Sequence, residues 1–281
     1  MNQTYTSSAP SSRAQGGHKR ISASKALFFA AGNAGDSWQG EWSSLFALIP
    51  EAFNVMPPGT MAREGFELIS NAAHTRRFVS VVTDTQANLR TAGVPIIVKE
   101  YRGARPILAA ANLKRARRRW LGQLALELYF AQLFGSESAI LDIRPSRLGV
   151  DSARDAVWYP RPLYLKWDPE FLQALRDLYA GFFLGDAERY THGIRDLGLG
   201  SSSTPLLRHL GNGNQRSVRF RAADLRSTLR DCSALRSAED ARLHRNFVAF
   251  GIYVASLYEL LESLDLCFDV RSAFMRVYRE G

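Results

Sequence analysis

The longest apolar pattern in the chain runs from about Leu108 to Phe134. Within it, apolar side chains recur every three or four residues, at Leu113, Ala116, Trp120, Leu124, Leu128 and Ala131. This spacing places them on one face of a helix, because an α-helix turns once every 3.6 residues. Gly135 follows the last apolar residue and is a typical helix stop. The pattern therefore predicts one long helix that ends at Gly135.

Further helices are predicted on both sides of this one. Apolar residues at helical spacing predict helices over 38–53 and 60–74. The Asp-Pro-Glu sequence at 168–170 predicts a helix start, because the aspartate can cap the helix, the proline suits its first turn and the glutamate complements its dipole. A following helix is expected over 185–198. The clearest amphipathic pattern comes last, over 243–264.

Strands are predicted at a few short apolar runs. Residues 78–82 and 94–99 are rich in valine and isoleucine and are separated by a polar stretch, which predicts a hairpin with a long loop. Pro95 cannot donate a backbone hydrogen bond, so the second strand should start there or lie at an edge. Short strands are also predicted at 139–143 and 157–165. Because βαβ alternation is missing, we predict an α+β fold, predominantly helical with a small antiparallel sheet.

The 281 residues are enough for one large domain or two small ones. Residues 1–25 have almost no large apolar side chains, so we expect a disordered basic tail there and a single helix-rich domain over 26–281. A segment rich in Gly, Ser and Asn at 198–217 predicts a flexible internal loop. Residues 1–35 contain no acid and carry a charge of +4, a composition that also describes an organelle transit peptide. Both interpretations of this segment stay open.

Composition excludes several classes of protein. No apolar run approaches the roughly 20 residues that cross a bilayer, so we expect no integral membrane association. The 2 cysteines, Cys232 and Cys267, are too few for a disulfide framework or a cysteine-rich zinc module, so a reducing, cytoplasmic setting fits best. Two acid and histidine pairs have helical spacing but lack the motif of a known metal site. We therefore predict no metal site, and the sequence identifies no cofactor.

The net charge of +9 is concentrated in two places, residues 1–35 and residues 101–126. Residues 101–126 contain no acid and carry a charge of +7. The densest part is the sequence Leu-Lys-Arg-Ala-Arg-Arg-Arg-Trp at 113–120. On a helix, these like charges repel one another and oppose the positive end of the helix dipole, by a few tenths of a kcal/mol each. We therefore expect an anion to offset them.

From this expectation we predict that the chain is a soluble accessory or binding protein. Its anionic partner would be an acidic protein surface, a nucleic acid or a phosphorylated ligand. The residues predicted to contact it are those of the basic helix and two further cations: Arg115, Arg117, Arg118, Arg119, Arg161 and Lys166. Carboxylates of the fold itself, such as Glu100 or Glu127, are the alternative partners of the basic helix.

A second hypothesis starts from Lys99, which ends an apolar run as the phosphate-contacting lysine of a kinase does. Downstream, a predicted helix ends in Gln-Leu-Phe at 132–134, and an Asp-containing loop follows at 141–146. Two further predicted helices then open with Asp-Pro-Glu-Phe at 168–171 and with Gly-Asp-Ala-Glu at 185–188. The second of these helices closes with Leu-Gly-Leu at 197–199. With these features, residues 124–199 resemble the late part of the ABC1/AarF group of atypical kinases.

The resemblance implies a divergent or degenerate kinase-like phosphotransferase that uses Lys99 and Asp142. The catalytic-loop pattern of that group, His-x-Asp-Pro-His-Pro-Gly-Asn, is absent, and only Asp142 and Pro145 can be placed on it. The hypothesis predicts stabilisation by ATP and magnesium, removed by Lys99→Ala or Asp142→Asn. A third hypothesis is a scaffold protein in which the helix at 243–264 forms an oligomer or partner interface.

Overall fold

The computed structural model describes residues 58–72, 74–99, 107–199, 216–228 and 244–279. The predicted tail at 1–25 and the predicted helix at 38–53 lie outside the described residues, as does most of the predicted loop at 198–217. Within the described ranges, none of the helices combines the length and the apolar character that a bilayer crossing needs.

Helices make up most of the described structure. In chain order they are α1 (Pro58–Ala72), α2 (Thr75–Ala92), α3 (Arg115–Gly135), α4 (Pro169–Leu184), α5 (Ala187–Asp196), α6 (Phe247–Ser263) and α7 (Val270–Val277). Residues 222–228 are also helical. Together with the short strands described below, these helices confirm the predicted α+β fold that is mostly helical.

The predicted long helix is α3, which contacts α2, α4, α6 and α7. Nearly all of its residues from Leu121 to Leu133 are buried, as in a helix that other elements enclose on every side. It ends at Gly135, as predicted. It begins at Arg115 rather than near Leu108, because residues 110–112 form a separate 3₁₀ turn and an extended Lys114 precedes the helix.

The core is aromatic around the second half of α3. Phe130 packs edge to face against Tyr179 and Phe183 of α4 and against Phe274 of α7. Each such pair contributes about 1 kcal/mol beyond the burial of apolar area. These contacts hold the second half of α3 in the core, while its first two turns, residues 115–120, are exposed or half-buried.

Residues 78–82, predicted as a strand, lie instead in α2. Phe78, Thr85 and Leu89 are buried, whereas Val79 is 40% exposed. The buried positions are seven and four residues apart, so one helix face packs on the core. The strand prediction was wrong because burial of this face outweighs the strand preference of a short β-branched run.

The predicted helix start at 168–170 is confirmed. Asp168 accepts a hydrogen bond from the backbone N–H of Glu170 at 3.1 Å, and α4 begins at the proline between them. Gly185 ends α4 in the left-handed region, with φ +80°. Asp186 then accepts from the backbone N–H of Arg189 at 2.9 Å and starts α5. These local capping contacts are the kind that sequence alone reveals.

The strands are short, two or three residues each. They are β1 (Ile96–Val98), β2 (Ser138–Ile140), β3 (Leu148–Val150), β4 (Ala156–Trp158), β5 (Tyr164–Lys166), β6 (Val218–Arg219) and β7 (Cys267–Phe268). They form a three-stranded sheet in the order β1-β4-β3 and two separate pairs, β2 with β5 and β6 with β7. The strand predicted over 157–165 is divided into β4 and β5, between which both prolines lie.

Strand pairing differs from the predicted hairpin. β1 pairs with β4 in parallel, while the other three pairs of described strands are antiparallel. The Gln86 side chain from α2 covers the other edge of β1. The Gln86 amide accepts from the N–H of Val98 at 2.8 Å and donates to the carbonyl of Ile96 at 3.3 Å. A side-chain amide therefore occupies backbone groups that a further strand would otherwise use.

Candidate anion-binding surface at the start of the central helix

The first two turns of α3, with Lys114 before them, form a basic surface. We call Lys114, Arg115, Arg117, Arg118 and Arg119 the α3 basic surface. Lys114 occupies the N-cap position, and its side chain accepts no backbone hydrogen bond. The first turn contains no acid. The positive end of the helix dipole therefore adds to the side-chain charges and is not offset locally.

Two arginines of the surface are held in place by the protein. The Arg117 guanidinium lies 4.0 Å from the centroid of the Trp120 ring and donates to the backbone carbonyl of Arg154. Arg118 donates through Nη1 to the backbone carbonyl of Leu264 at 3.2 Å. Leu264 is the C-cap of α6, so Arg118 places positive charge at the negative end of that helix dipole.

Lys114, Arg115 and Arg119 are exposed. No carboxylate of the described residues forms an ion pair with any member of the α3 basic surface. Three acids of the described residues pair with other cations: Asp151 with Lys99, Asp265 with Arg219, and Glu127 with Arg276. Glu127 was the predicted internal partner, and it lies 3.1 Å from Arg276 of α7 instead. The other predicted internal partner, Glu100, lies outside the described residues.

The structure separates two predicted binding residues from this surface. Lys166 of β5 pairs with Glu137 at 2.9 Å, and this contact lowers the pKa of the Glu137 carboxyl. Glu137 follows the C-terminal end of α3, which at 21 residues is about 30 Å long. Lys166 therefore lies near the opposite end of the helix from Arg115. Arg161 is only 6% exposed, so its side chain belongs to the interior.

The two residues predicted from the kinase resemblance lie near the same strand. The backbone N–H of Lys99 donates to the carbonyl of Trp158 on β4, at 2.8 Å. The Trp158 indole N–H in turn donates to the carbonyl of Asp142, at 2.7 Å. Their side chains nonetheless have different partners. Lys99 Nζ lies 3.7 Å from Asp151, whereas the Asp142 carboxylate is fully buried and accepts from Arg144.

The Asp142 carboxylate is enclosed by the protein, so a nucleotide cannot contact it in this conformation. Asp142 is 0% exposed, and Arg144 donates to both of its oxygens, at 2.8 and 3.2 Å. Arg147 approaches the same carboxylate at 3.8 Å. The arrangement is that of a structural ion pair inside the protein. Phosphoryl transfer through Lys99 and Asp142 stays a prediction.

The apolar residues of the predicted interface helix are used inside the chain. The helix is α6, and its buried positions include Phe250, Val254, Leu257 and Leu261. They belong to the same apolar core as the second half of α3. These side chains therefore offer no exposed apolar face to another protein, because the fold itself covers them. Leu243, the first residue of the predicted interface, lies outside the described residues.

Two contacts of the basic surface were missed at the sequence level. Arg154 approaches it through a tight turn, in which its own φ is +67°. Leu264 approaches it from the end of α6, 146 residues away from Arg118. Neither carries a local sequence signal, since each is a backbone carbonyl that any residue supplies. In comparisons with known proteins, neither a protein-family model nor a curated protein matches the chain.

Proposed function

We propose that the protein binds an anionic partner through the α3 basic surface, with Arg115, Arg117, Arg118 and Arg119 as the contacting arginines. The observation that carries the proposal is the charge at the start of α3. None of its cations is paired with a carboxylate of the described residues, and no acid lies in the first turn of the helix. A bound anion would relieve both the repulsion between these cations and their unfavourable position on the dipole.

The arginines of the surface have different parts in this proposal. Arg115 and Arg119 are exposed and can reach an incoming anion directly. Arg117 is held against Trp120 and donates to the Arg154 carbonyl, so only its remaining N–H groups are available to an anion. Restraining an arginine in this way reduces the entropy that binding would otherwise cost. Arg118 contributes charge from its position beneath, where it donates to Leu264.

The direct test replaces all four arginines by glutamine. Binding of labelled oligo-dT, ATP and poly-glutamate is measured by fluorescence anisotropy from about 50 to 200 mM KCl. We expect the variant to bind the preferred probe at least about tenfold more weakly, with a salt slope smaller by about 3, since four charge contacts are lost. Its unfolding free energy should fall by about 2 kcal/mol, from the lost hydrogen bonds of Arg117 and Arg118.

A matched variant controls for net charge. Arg76, Arg77, Arg90 and Arg195 are exposed on α2 and α5, and changing them to glutamine removes the same charge elsewhere. This control should keep most of the affinity. The proposal fails if wild type binds none of the probes, or if the two variants weaken binding equally.

A further inference from the structure

A second row of exposed arginines lies on β6 and the residues flanking it. Val218 and Phe220 are buried, whereas Arg216, Arg219 and Arg221 are exposed. This alternation is that of a strand with one face on the core. We call these three arginines the β6 arginine row. Residues 216–221 contain no acid.

The β6 arginine row meets the α3 basic surface at one turn. Leu264 and Asp265 are consecutive residues between α6 and β7. The Leu264 carbonyl accepts from Arg118, and the Asp265 carboxylate accepts from Arg219. Because consecutive Cα atoms are about 3.8 Å apart, the two guanidinium groups lie within about 12 Å of each other.

The strand β7 lies between the α3 basic surface and the β6 arginine row, and it packs directly on α3. Gly122 of α3 has no side chain, and a Cβ there would collide with the Phe268 ring of β7. Gln123 also donates to the carbonyl of Asp269, just after β7, at 3.1 Å. β6 pairs with β7, with Arg219 opposite Cys267. The start of α3, β7 and β6 therefore form one continuous surface.

The acids on this surface are few, and three of them have partners within the protein. Asp265 pairs with Arg219. Glu262 accepts from the backbone N–H of Ala222 at 3.2 Å, and Asp269 caps α7 by accepting from Ser272 at 2.8 Å. Asp224, on the helical turn after β6, is exposed and lies two residues before Arg226. Among the described residues, the cations of the two basic sets outnumber these carboxylates.

We propose that the anionic partner is a nucleic acid, whose phosphodiester backbone runs from the α3 basic surface across the Leu264–Asp265 turn onto the β6 arginine row. This inference rests on the proposed function and names its ligand. Arg115 to Arg119 spans about 6 Å along the helix axis. Residues 216–221 span about 17 Å of extended chain. A surface of this length fits several phosphates of one strand, and a single phosphate group reaches only part of it.

The surface fits phosphates better than it fits an acidic protein. Stable protein interfaces have apolar or aromatic anchors at their centre. The large apolar side chains that are exposed in the described residues are Phe66, Val79, Ile97, Leu108, Leu184 and Met275, and none lies on the first two turns of α3 or on 216–221. A nucleic-acid backbone, in contrast, needs no apolar anchor for non-specific binding, and arginine matches a phosphate with two parallel hydrogen bonds.

The test compares two triple variants of the full chain. One changes Arg115, Arg117 and Arg119 to glutamine, and the other changes Arg216, Arg219 and Arg221. The probe is labelled oligo-dT of about 20 nucleotides, a length that exceeds one typical single-strand binding site. We expect each triple variant to bind it about tenfold more weakly, with a salt slope smaller by about 2. Oligo-dT of about five nucleotides should bind much more weakly than the longer one.

Asp265→Asn changes the charge of the surface in the opposite direction, because it removes a negative charge instead of positive ones. Asparagine accepts the left-handed backbone at this position, where φ is +51°, so the turn should be kept. Losing the carboxylate frees Arg219 and removes a repulsive charge, so binding of the longer oligo-dT should tighten about twofold. If Asp265 only supports the turn, this variant lowers the melting temperature and does not tighten binding.

The outcomes separate this inference from the proposed function. If the α3 triple variant weakens binding and the β6 triple variant does not, the surface ends at α3 and only the further inference is wrong. If poly-glutamate or ATP binds as tightly as the longer oligo-dT, a nucleic acid is the wrong partner while the α3 surface still stands. If the α3 triple variant binds every probe as wild type does, both proposals fail.

Discussion

At the residue scale, Asp142 shows how burial changes the meaning of a sequence position. The sequence places it on a kinase pattern, as a candidate catalytic acid. In the structure it is the counter-ion of the buried Arg144, and its carbonyl also accepts from Trp158. A carboxylate between buried guanidinium groups stabilises the fold mainly by preventing an uncompensated internal charge.

We therefore expect Asp142→Asn to lower the free energy of unfolding by about 3 kcal/mol. Urea denaturation followed by circular dichroism measures the change. Asp155→Asn, at an exposed turn position, is the matched control and should change stability by less than about 0.5 kcal/mol. An unchanged urea midpoint for Asp142→Asn would show that the carboxylate is not needed inside the fold. Because a nucleotide effect of this variant is mixed with destabilisation, Lys99→Ala is the cleaner test of the kinase hypothesis.

Glu127 is a buried carboxyl whose charge opposes folding. Burial raises the pKa of Glu127, and the nearby Arg276 offsets this only in part. A pKa that is higher in the folded than in the unfolded protein means that the folded state binds the proton more tightly. The contribution of Glu127 to stability is therefore lost as pH rises from the ordinary value of 4.5 through the raised pKa.

Glu127→Gln should accordingly raise the melting temperature at neutral pH and flatten the decline of stability with rising pH above 4.5. The measurement is a series of thermal melts from acidic to neutral pH. Glu188→Gln removes an exposed carboxylate of α5 and controls for the change in net charge. A steeper decline in Glu127→Gln than in wild type would contradict this explanation, because it would mean that the ion pair with Arg276 dominates.

At the element scale, the α4–α5 hairpin depends on glycines that bring two helix backbones together. A Cβ at Gly193 of α5 would lie 2.5 Å from the backbone nitrogen of Leu178 and 2.8 Å from the carbonyl oxygen of Ala174, both on α4. Gly181 of α4 faces the backbone of Tyr190 in the same way. Backbone atoms cannot move aside as a flexible side chain can, so the helices would have to separate.

Gly193→Ala should therefore cost about 2–3 kcal/mol of unfolding free energy, although alanine is the better helix former. Gly251 of α6 is the matched control, since a Cβ there meets no atom within 4 Å. Gly251→Ala should be neutral or stabilise the protein by up to about 1 kcal/mol. Chemical denaturation of the two variants distinguishes these effects, and equal stability of both would refute the close packing of α4 on α5.

At the scale of the whole molecule, sequence reasoning succeeded where signals are local. The cap at Asp168, the restart at Gly185 and the stop at Gly135 depend on residues within one helical turn, and all three are present. Sequence reasoning failed at residues 78–82, because packing of α2 on the core, and not local strand preference, determined their structure. The parallel pairing of β1 with β4 could not be predicted from the sequence either, since the pairing residues lie 60 positions apart.

The candidate site divides in the same way. The α3 basic surface could be identified from an acid-free run of arginines, and the alternation at 216–221 is visible once it is sought. That Lys166 lies near the far end of α3, and that Arg118 and Arg219 meet at one turn, follows only from how the chain packs. A charge pattern identifies cations, but it does not indicate which of them share a surface.

The sequence by itself determined the mostly helical character of this protein, the ends of its strongly capped helices and the basic start of its central helix. These follow from propensity, capping and charge, which act between neighbouring residues. Only the tertiary structure decided which arginines have no carboxylate partner among the described residues, and which separate segments meet beside them. That decision belongs to burial of the core, because packing brings distant segments together according to the apolar area they cover.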